Sequence, residues 1–386
     1  MRKVAALLLI FCVFLVGCKP QKEVTKAPKE SGNMVGIWIT YSELSAFSKS
    51  EKGFVAAFSE AVQRSKEIGI NTFFVHTRAF CDAVYPSEIF PFASYIEKSD
   101  TDLLYSMVEI CHQNDMELHA WINPYRISTA SNDINTLPDD SPAKRWLIDE
   151  NPDNDKNLCI TDSGIYLNPA ESDCKRLVLD GVREIIETYD VDGIHIDDYF
   201  YPTTNASFDK VSYEAYSGSC EQPLTLEEWR RKNVNSLINS IYCTVKAKDQ
   251  NIAFGVSPAA DLDRNYNTLY ADIEGWLGGG YVDYIMPQLY FGFEYPVEQF
   301  KFDNLIVKWM DLTANKDAQL YCGLAPYKIG TNVETDRDEW NNYDDIIARQ
   351  IKLIKENKLD GYAFFSYTSL FSDNELNRRQ LENIMR

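Results

Sequence analysis

Tyr189-Asp-Val-Asp-Gly-Ile-His-Ile-Asp-Asp-Tyr-Phe-Tyr-Pro202 is the stretch on which the fold turns. Its apolar core, Gly193 to Ile196, reads as a short buried strand that ends abruptly in two carboxylates and three aromatic rings. In parallel α/β proteins, chemistry gathers at the carboxyl ends of strands. Asp is also a common turn residue, so the rest of the chain must decide between the two meanings.

Working outward, Leu177, Val178, Gly181, Val182, Ile185, Ile186 and Tyr189 form a helical stripe that delivers the chain to this strand. The same alternation of short β-rich runs and amphipathic segments begins at Val35-Gly-Ile-Trp-Ile-Thr40. It continues through Asn71–His76, Glu117–Ile122, Gly193–Ile196, Ile252–Val256, Val282–Met286, Gln319–Gly323 and Gly361–Ser366. Between them lie helical patterns such as Phe54 to Ile68, closed by Gly69, and a helix opened by the capping box Thr225-Leu-Glu-Glu228. About eight strand–helix units predict an α/β fold, a (β/α)8 TIM barrel over 34–386 with long loop insertions after strands 3 and 4. The alternative is a doubly wound open sheet, but no Gly-rich phosphate loop follows the first strand.

The N-terminus reads as a leader. Arg2 and Lys3 precede an apolar run, Val4 to Val16, that is short for a membrane span and closes on Leu15-Val16-Gly17-Cys18. That close resembles a bacterial lipobox, which implies a signal peptide over 1–17, lipidation of Cys18 and an extracytoplasmic, membrane-anchored protein. Residues 18–33 are polar and read as a flexible tether. The formal net charge is −20. Losing residues 1–17, with two positive and no negative charges, takes the mature chain to near −22. Such a surface disfavours nucleic acid and anionic membranes as partners, leaving the lipid anchor as the membrane contact. The nine cysteines show neither a disulfide framework nor metal-ligand spacing. No metal and no cofactor is expected, and the expected state is a monomer.

The expected strand exits hold Trp38 and Tyr41; His76 and Arg78; Trp121, Asn123, Tyr125 and Arg126; His195, Asp197, Asp198 and then Tyr199; Ser257; Gln288 and Tyr290; Tyr327; and Ser366 and Tyr367. Aromatic, amide, guanidinium and carboxylate groups gathered at one rim suit a sugar, whose C–H faces stack on rings and whose hydroxyls take paired hydrogen bonds. Strand alternation puts His195 and Asp197 on one face, aimed into the barrel mouth, with Ile194 and Ile196 against the helices. Asp198 lies just past the strand.

These stretches are similar to the glycosyl-hydrolase-like family 10. The matching residues are Gly36-Ile-Trp-Ile-Thr40, Asp82-Ala-Val-Tyr-Pro-Ser87, Leu118-His-Ala-Trp-Ile-Asn-Pro-Tyr-Arg126 and Tyr166-Leu-Asn-Pro169. They continue with Asp190 to Pro202, Trp229-Arg-Arg-Lys-Asn-Val-Asn235, Phe254-Gly-Val-Ser-Pro258 and Asp283-Tyr-Ile-Met-Pro-Gln-Leu-Tyr290. The resemblance implies a barrel acting on glycans, some members being reported to cleave peptidoglycan strands stripped of peptides. One departure is His76-Thr77-Arg78, where members often carry Gln-Val-Arg.

Most glycosidases use two carboxylic acids. The expected catalytic set is Asp197, Asp198 and, as the second carboxylate, Glu294, with Asp261 and Asp82 as alternatives. Expected substrate contacts are Trp38, His76, Arg78, Trp121, Asn123, Tyr125, Arg126, His195, Tyr199, Ser257, Gln288 and Tyr290. Arg78, Arg126 and Arg264 are the cations that could meet an anionic glycan. Neither the two-glutamate pattern of family-10 xylanases nor the chitinase run Asp-Gly-x-Asp-x-Asp-x-Glu transfers intact, since Tyr199 occupies the final acidic place of the latter. The competing function is a non-catalytic, lipid-anchored glycan-binding barrel.

Overall fold

The computed structural model describes residues 33–331 and 336–385. The leader, Cys18 and the tether up to residue 32 lie outside the described residues. The chain opens with β1 (Met34–Ile39), β2 (Thr72–Arg78) and β3 (Glu117–Ile122). An insertion then carries β4 (Arg126–Ser128), β5 (Leu158–Thr161) and β6 (Gly164–Leu167). Next come β7 (Gly193–Ile196), β8 (Ala253–Val256), β9 (Tyr284–Ile285), β10 (Gln319–Leu324) and β11 (Gly361–Phe364). Strands β1, β2, β3 and β7 to β11 close into a parallel barrel in sequence order, with β11 pairing back onto β1. The barrel expected from the strand–helix rhythm is therefore the observed fold, and the open sheet is excluded.

The helical stripes pack as their spacing requires. Helix Phe54–Glu67 buries Phe54, Phe58, Ala61, Val62 and Ser65. Helix Ser172–Thr188 buries Leu177, Val178, Gly181, Val182, Ile185 and Ile186 against the outer barrel wall. Thr225 and Glu228 form the reciprocal cap of helix Leu226–Lys248: the Thr225 Oγ1 accepts from the Glu228 N–H, and the Glu228 carboxylate from the Thr225 N–H. The insertion after β3 is more ordered than its loop-like composition suggests. Strands β4, β5 and β6 form a small antiparallel sheet in the order β4-β6-β5.

Inside the barrel, Met34, Trp38, Phe74, Trp121, Tyr284, Met286 and Tyr321 make a second core. Two glycines make room for it. A Cβ at Gly255 would lie 2.1 Å from the Tyr284 ring, and one at Gly193 would lie 2.4 Å from the His119 imidazole. Both positions belong to strands with ordinary extended backbone, so the demand is for space, not for an unusual dihedral.

The insertion after β7 is held by a buried ion pair. Arg230, on helix Leu226–Lys248, donates to both carboxylate oxygens of Asp209, to the carbonyls of Thr204 and Asn205, and to the Tyr270 hydroxyl. Both side chains are fully buried. Removing one partner of such a pair strands an uncompensated charge. Asp209→Ala is therefore expected to cost about 3–5 kcal/mol of stability. A denaturant melt of the variant checks this, and a change under about 1 kcal/mol would show that the pair does not anchor the loop.

Candidate active site

Asp197 and Asp198 sit where β7 ends, at the barrel mouth. Asp197 is 4 % exposed. Its Oδ1 accepts the Tyr199 backbone N–H at 3.2 Å, while Oδ2 is buried without a formed hydrogen bond. Burial, and then the neighbouring Asp198 carboxylate, push the Asp197 pKa well above the ordinary range, against the opposing pull of Arg126. Asp198 is half-buried, and burial raises it too, with the Gln288 amide opposing. Two acids this close in a desolvated mouth favour holding one proton between them. Asp198 is the better holder of the charge, because Gln288 Nε2 donates to its Oδ1 at 3.0 Å.

The support beneath the pair is a hydrogen-bonded chain. Gln288 Nε2 also donates to the Ser257 carbonyl at 3.0 Å. The Ser257 hydroxyl lies 3.1 Å from His195 Nε2, and the Trp38 indole N–H donates to the same nitrogen at 3.2 Å. An indole can only donate, so His195 Nε2 accepts and Nδ1 carries the hydrogen. Burial keeps the ring neutral, lowering its pKa well below the ordinary value. Nδ1 then donates to the Tyr284 hydroxyl (3.0 Å), which donates on to His119 Nδ1 (3.0 Å).

The rim is aromatic. His76 stacks on Trp121 with ring centres 3.6 Å apart. Burial, and then the nearby Arg126 charge, keep His76 neutral by lowering its pKa well below the ordinary value. Asn123 donates to the Ala79 carbonyl at 2.9 Å and leaves its own side-chain oxygen free. The Arg126 guanidinium lies 3.5 Å from the centre of the Tyr199 ring, which is 43 % exposed. Tyr290 meets Tyr327 at 5.7 Å and Phe365 at 5.8 Å. Its pKa is pushed well up, first by burial, with Tyr327 and the Asp pair adding to it.

Asp197, Asp198, His76, Trp121, Asn123, Arg126, Tyr199, Gln288 and Tyr290 are thus gathered at one mouth. Six expected residues are placed otherwise. Trp38, His195 and Ser257 face inward but lie one layer below, closed to solvent and occupied with each other. Arg78 is 1 % exposed and lies outside the barrel wall. Its guanidinium is 3.8 Å from the centre of the Phe90 ring and presses on Gly181, where a Cβ would sit 2.0 Å from Nη1. A bulge between His76 and Arg78 turns it outward. Tyr125 is 2 % exposed and packs in the outer core with the small sheet. Glu294 is engaged elsewhere: its carboxylate accepts the Tyr343 hydroxyl at 2.8 Å, and its N–H donates to Glu339. Of the alternatives, Asp261 caps the helix Leu262–Asn267, whereas Asp82 lines a separate cavity. Phe365 was missed; it follows the last strand and closes the ring wall beside Tyr290, Tyr327 and Trp121.

A family model described as Glycosyl hydrolase-like 10 matches residues 33–342. The chain is 32% identical over 315 residues to the glycosyl hydrolase YngK of Bacillus subtilis (strain 168), an alignment spanning 75% of this chain and 59% of that protein. With the glycosyl hydrolase DigH of Escherichia coli (strain K12) it shares 28% identity over an alignment of 429 residues, covering 98% of this chain and 94% of that protein. Among solved structures, the PgaB (BpsB) glycoside hydrolase domain from Bordetella bronchiseptica superposes with a TM-score of 0.59 at 11% identity, covering 90% of this chain and 98% of that one. The catalytic domain of a β-amylase from Paenibacillus polymyxa gives 0.58 at 9% identity, covering 91% and 97%. At such identities the structural likeness speaks for the fold alone.

The raised pKa of Asp197 has a consequence for stability. A carboxyl raised in the folded state stabilises the fold below its unfolded pKa and loses that contribution as pH rises through the folded value. Asp197→Asn is therefore expected to melt at a higher temperature than the parent chain at pH 7–8. The difference should shrink as pH falls below the ordinary carboxylate range, near about 4. Calorimetric melts across pH check this; a variant less stable at every pH would show that the ionised carboxylate holds the fold together.

Proposed function

Because the chain belongs to the Glycosyl hydrolase-like 10 family, we propose that it is a glycoside hydrolase that cleaves a polysaccharide by carboxylate acid/base catalysis. The observation that carries this reading is the Asp197–Asp198 pair: one buried and one half-buried carboxyl at the carboxyl end of a barrel strand, both with raised pKa values. In the proposed mechanism Asp197 is the general acid. Its proton passes to the glycosidic oxygen as the C–O bond breaks, and the leaving sugar departs as an alcohol. The carboxylate of Asp198, held by Gln288, faces the positive charge that develops on the ring carbon and oxygen. Water completes the hydrolysis, and its proton returns to the carboxyl pair.

The proposed substrate is a cell-wall glycan, peptidoglycan strands being the first to test. That choice is supported by the sequence resemblance, with a lipobox that would hold the enzyme beside the wall. The exposed Tyr199 and Tyr327 rings offer flat faces for sugar C–H surfaces. The lipid on Cys18 would tether the barrel outside the cell membrane through residues 18–33.

Asp197→Asn and Asp198→Asn are each expected to lower the release of reducing ends from peptide-free peptidoglycan by roughly 10²–10⁴-fold, with glycan binding retained. Product mass analysis across a glycan panel checks this. Full cleavage by both variants would overturn the assignment, and binding without any new reducing ends in the parent chain would make the barrel a glycan-binding protein instead. Separately, Cys18→Ala is expected to move the protein from the detergent phase to the aqueous phase in a Triton partition; an unchanged partition would refute the lipid anchor.

A further inference from the structure

Two polar atoms at the mouth are buried without a formed hydrogen bond, the Trp121 indole nitrogen and Asp197 Oδ2. The strand register brings them together. Trp121 on β3 pairs with His195 on β7, and Asp197 lies two residues beyond His195, on the same inward face. Burial sets the direction of the Asp197 pKa, but the Trp121 N–H is among the groups that pull the other way, toward the ionised form. A buried donor without an acceptor is costly, so the place of this one asks for a reason.

The indole has little freedom to find another acceptor. His76 pairs with Trp121 across β2 and β3 and stacks on it, ring centres 3.6 Å apart and planes within 9°. The His195 and Phe365 rings meet it edge-on, each at 6.4 Å. Both rings of the stack are buried, so neither offers a face to a ligand. The stack therefore acts through what it touches. Asp197 Oδ1 accepts the Tyr199 N–H, so the hydrogen of the acid belongs on Oδ2. An oxygen that carries a hydrogen is a poor acceptor. Once the proton has left, the same oxygen is a charged and strong one.

We propose that Trp121 is a positioning residue for the acid: its indole N–H donates to Asp197 Oδ2 once the proton has passed to the glycosidic oxygen, and His76 holds the ring in place for that contact. The O–H bond of Asp197 breaks and its hydrogen bonds to the leaving oxygen. The electron pair stays on Oδ2 until the proton of water returns. The inference rests on the reading of Asp197 as general acid and adds what stabilises its conjugate base in a mouth poor in water. The other groups that face Asp197 are Asp198 beside it, Arg126 from the small sheet, and the Tyr199 and Tyr290 hydroxyls. His76 and His195 stay neutral, chiefly through burial. Trp121→Phe removes none of these, so a change in that variant reports the indole.

Losing a donor that favours the carboxylate raises the Asp197 pKa, and a general acid works only while protonated, so the alkaline limb of the activity profile follows. In full-length Trp121→Phe, cleavage of peptide-free peptidoglycan is expected to show that limb about one pH unit higher, with kcat about tenfold lower and KM little changed. The acid limb, set by Asp198, is expected to stay in place. His76→Ala is expected to move the alkaline limb the same way, and His76→Phe, which keeps a stacked ring, to bring it back. In protein labelled with ¹⁵N at tryptophan, one indole resonance of the parent chain is expected to titrate with the midpoint of the alkaline limb, and none to do so in Asp197→Asn. An unmoved limb in Trp121→Phe, or no titrating indole in the parent chain, would overturn the positioning role and leave Asp197 as the acid. Full activity of Asp197→Asn, or a parent chain inactive on every glycan of the panel, would overturn the acid assignment and this role with it.

Discussion

Two adjacent carboxyls at the end of a buried strand are the constraint on which the upper half of this barrel is built. In a desolvated mouth they cannot both carry full charge, so the protein has to decide which one does. Gln288 makes that decision by donating to Asp198 and not to Asp197. The Gln288 backbone is held by bridges to Ala259 and Gly323, and its amide is tied to the Ser257 carbonyl. Ser257 in turn rests on His195, and His195 on Tyr284. Tyr284 has space because residue 255 lacks a Cβ. A glycine in β8 is thereby connected, contact by contact, to the charge state of an acid just past β7.

The barrel was legible because each strand is a short apolar run and each helix carries a stripe, so the two periods alternate without conflict. The site was legible only in part, and the reasons are geometric. A period of two reports which face a strand residue takes, not its height. Trp38, His195 and Ser257 face inward as expected, yet lie a layer below any ligand at the mouth. Alternation also fails past irregularities. The bulge before Arg78 turns its guanidinium out toward Gly181, and Tyr125 follows Pro124 beyond the end of β3, where the chain has begun to feed the small sheet. Glu294 could not have been placed at all from local pattern, since the hydroxyl it accepts belongs to Tyr343, 49 residues away.

The family match ends at residue 342, whereas β11 and Phe365 lie beyond it. Those later residues are not an appendage. β11 pairs with both β1 and β10, so the barrel is closed only by a strand outside the matched region. Phe365, at the top of that strand, contacts Trp38 and Trp121 on one side and Tyr290 and Tyr327 on the other. The same residues that complete the fold therefore complete the aromatic wall.

Charge sets a final condition on what the mouth can accept. The chain is acidic overall, and the guanidinium at the rim, Arg126, is already engaged: it covers Tyr199 and favours the ionised forms of both Asp197 and Asp198. A negative group on the substrate near the cleaved bond would compete for that guanidinium and raise the proton affinity of the pair further. The pair would then move toward carrying two protons and lose the carboxylate that the proposed mechanism places opposite a developing positive charge. An acid tuned by burial and by one shared cation works only while the substrate brings no negative charge of its own to that point. A substrate carboxylate, such as the lactyl group of a peptide-free muramic acid residue, therefore has to lie away from Arg126 if Asp198 is to keep its charge.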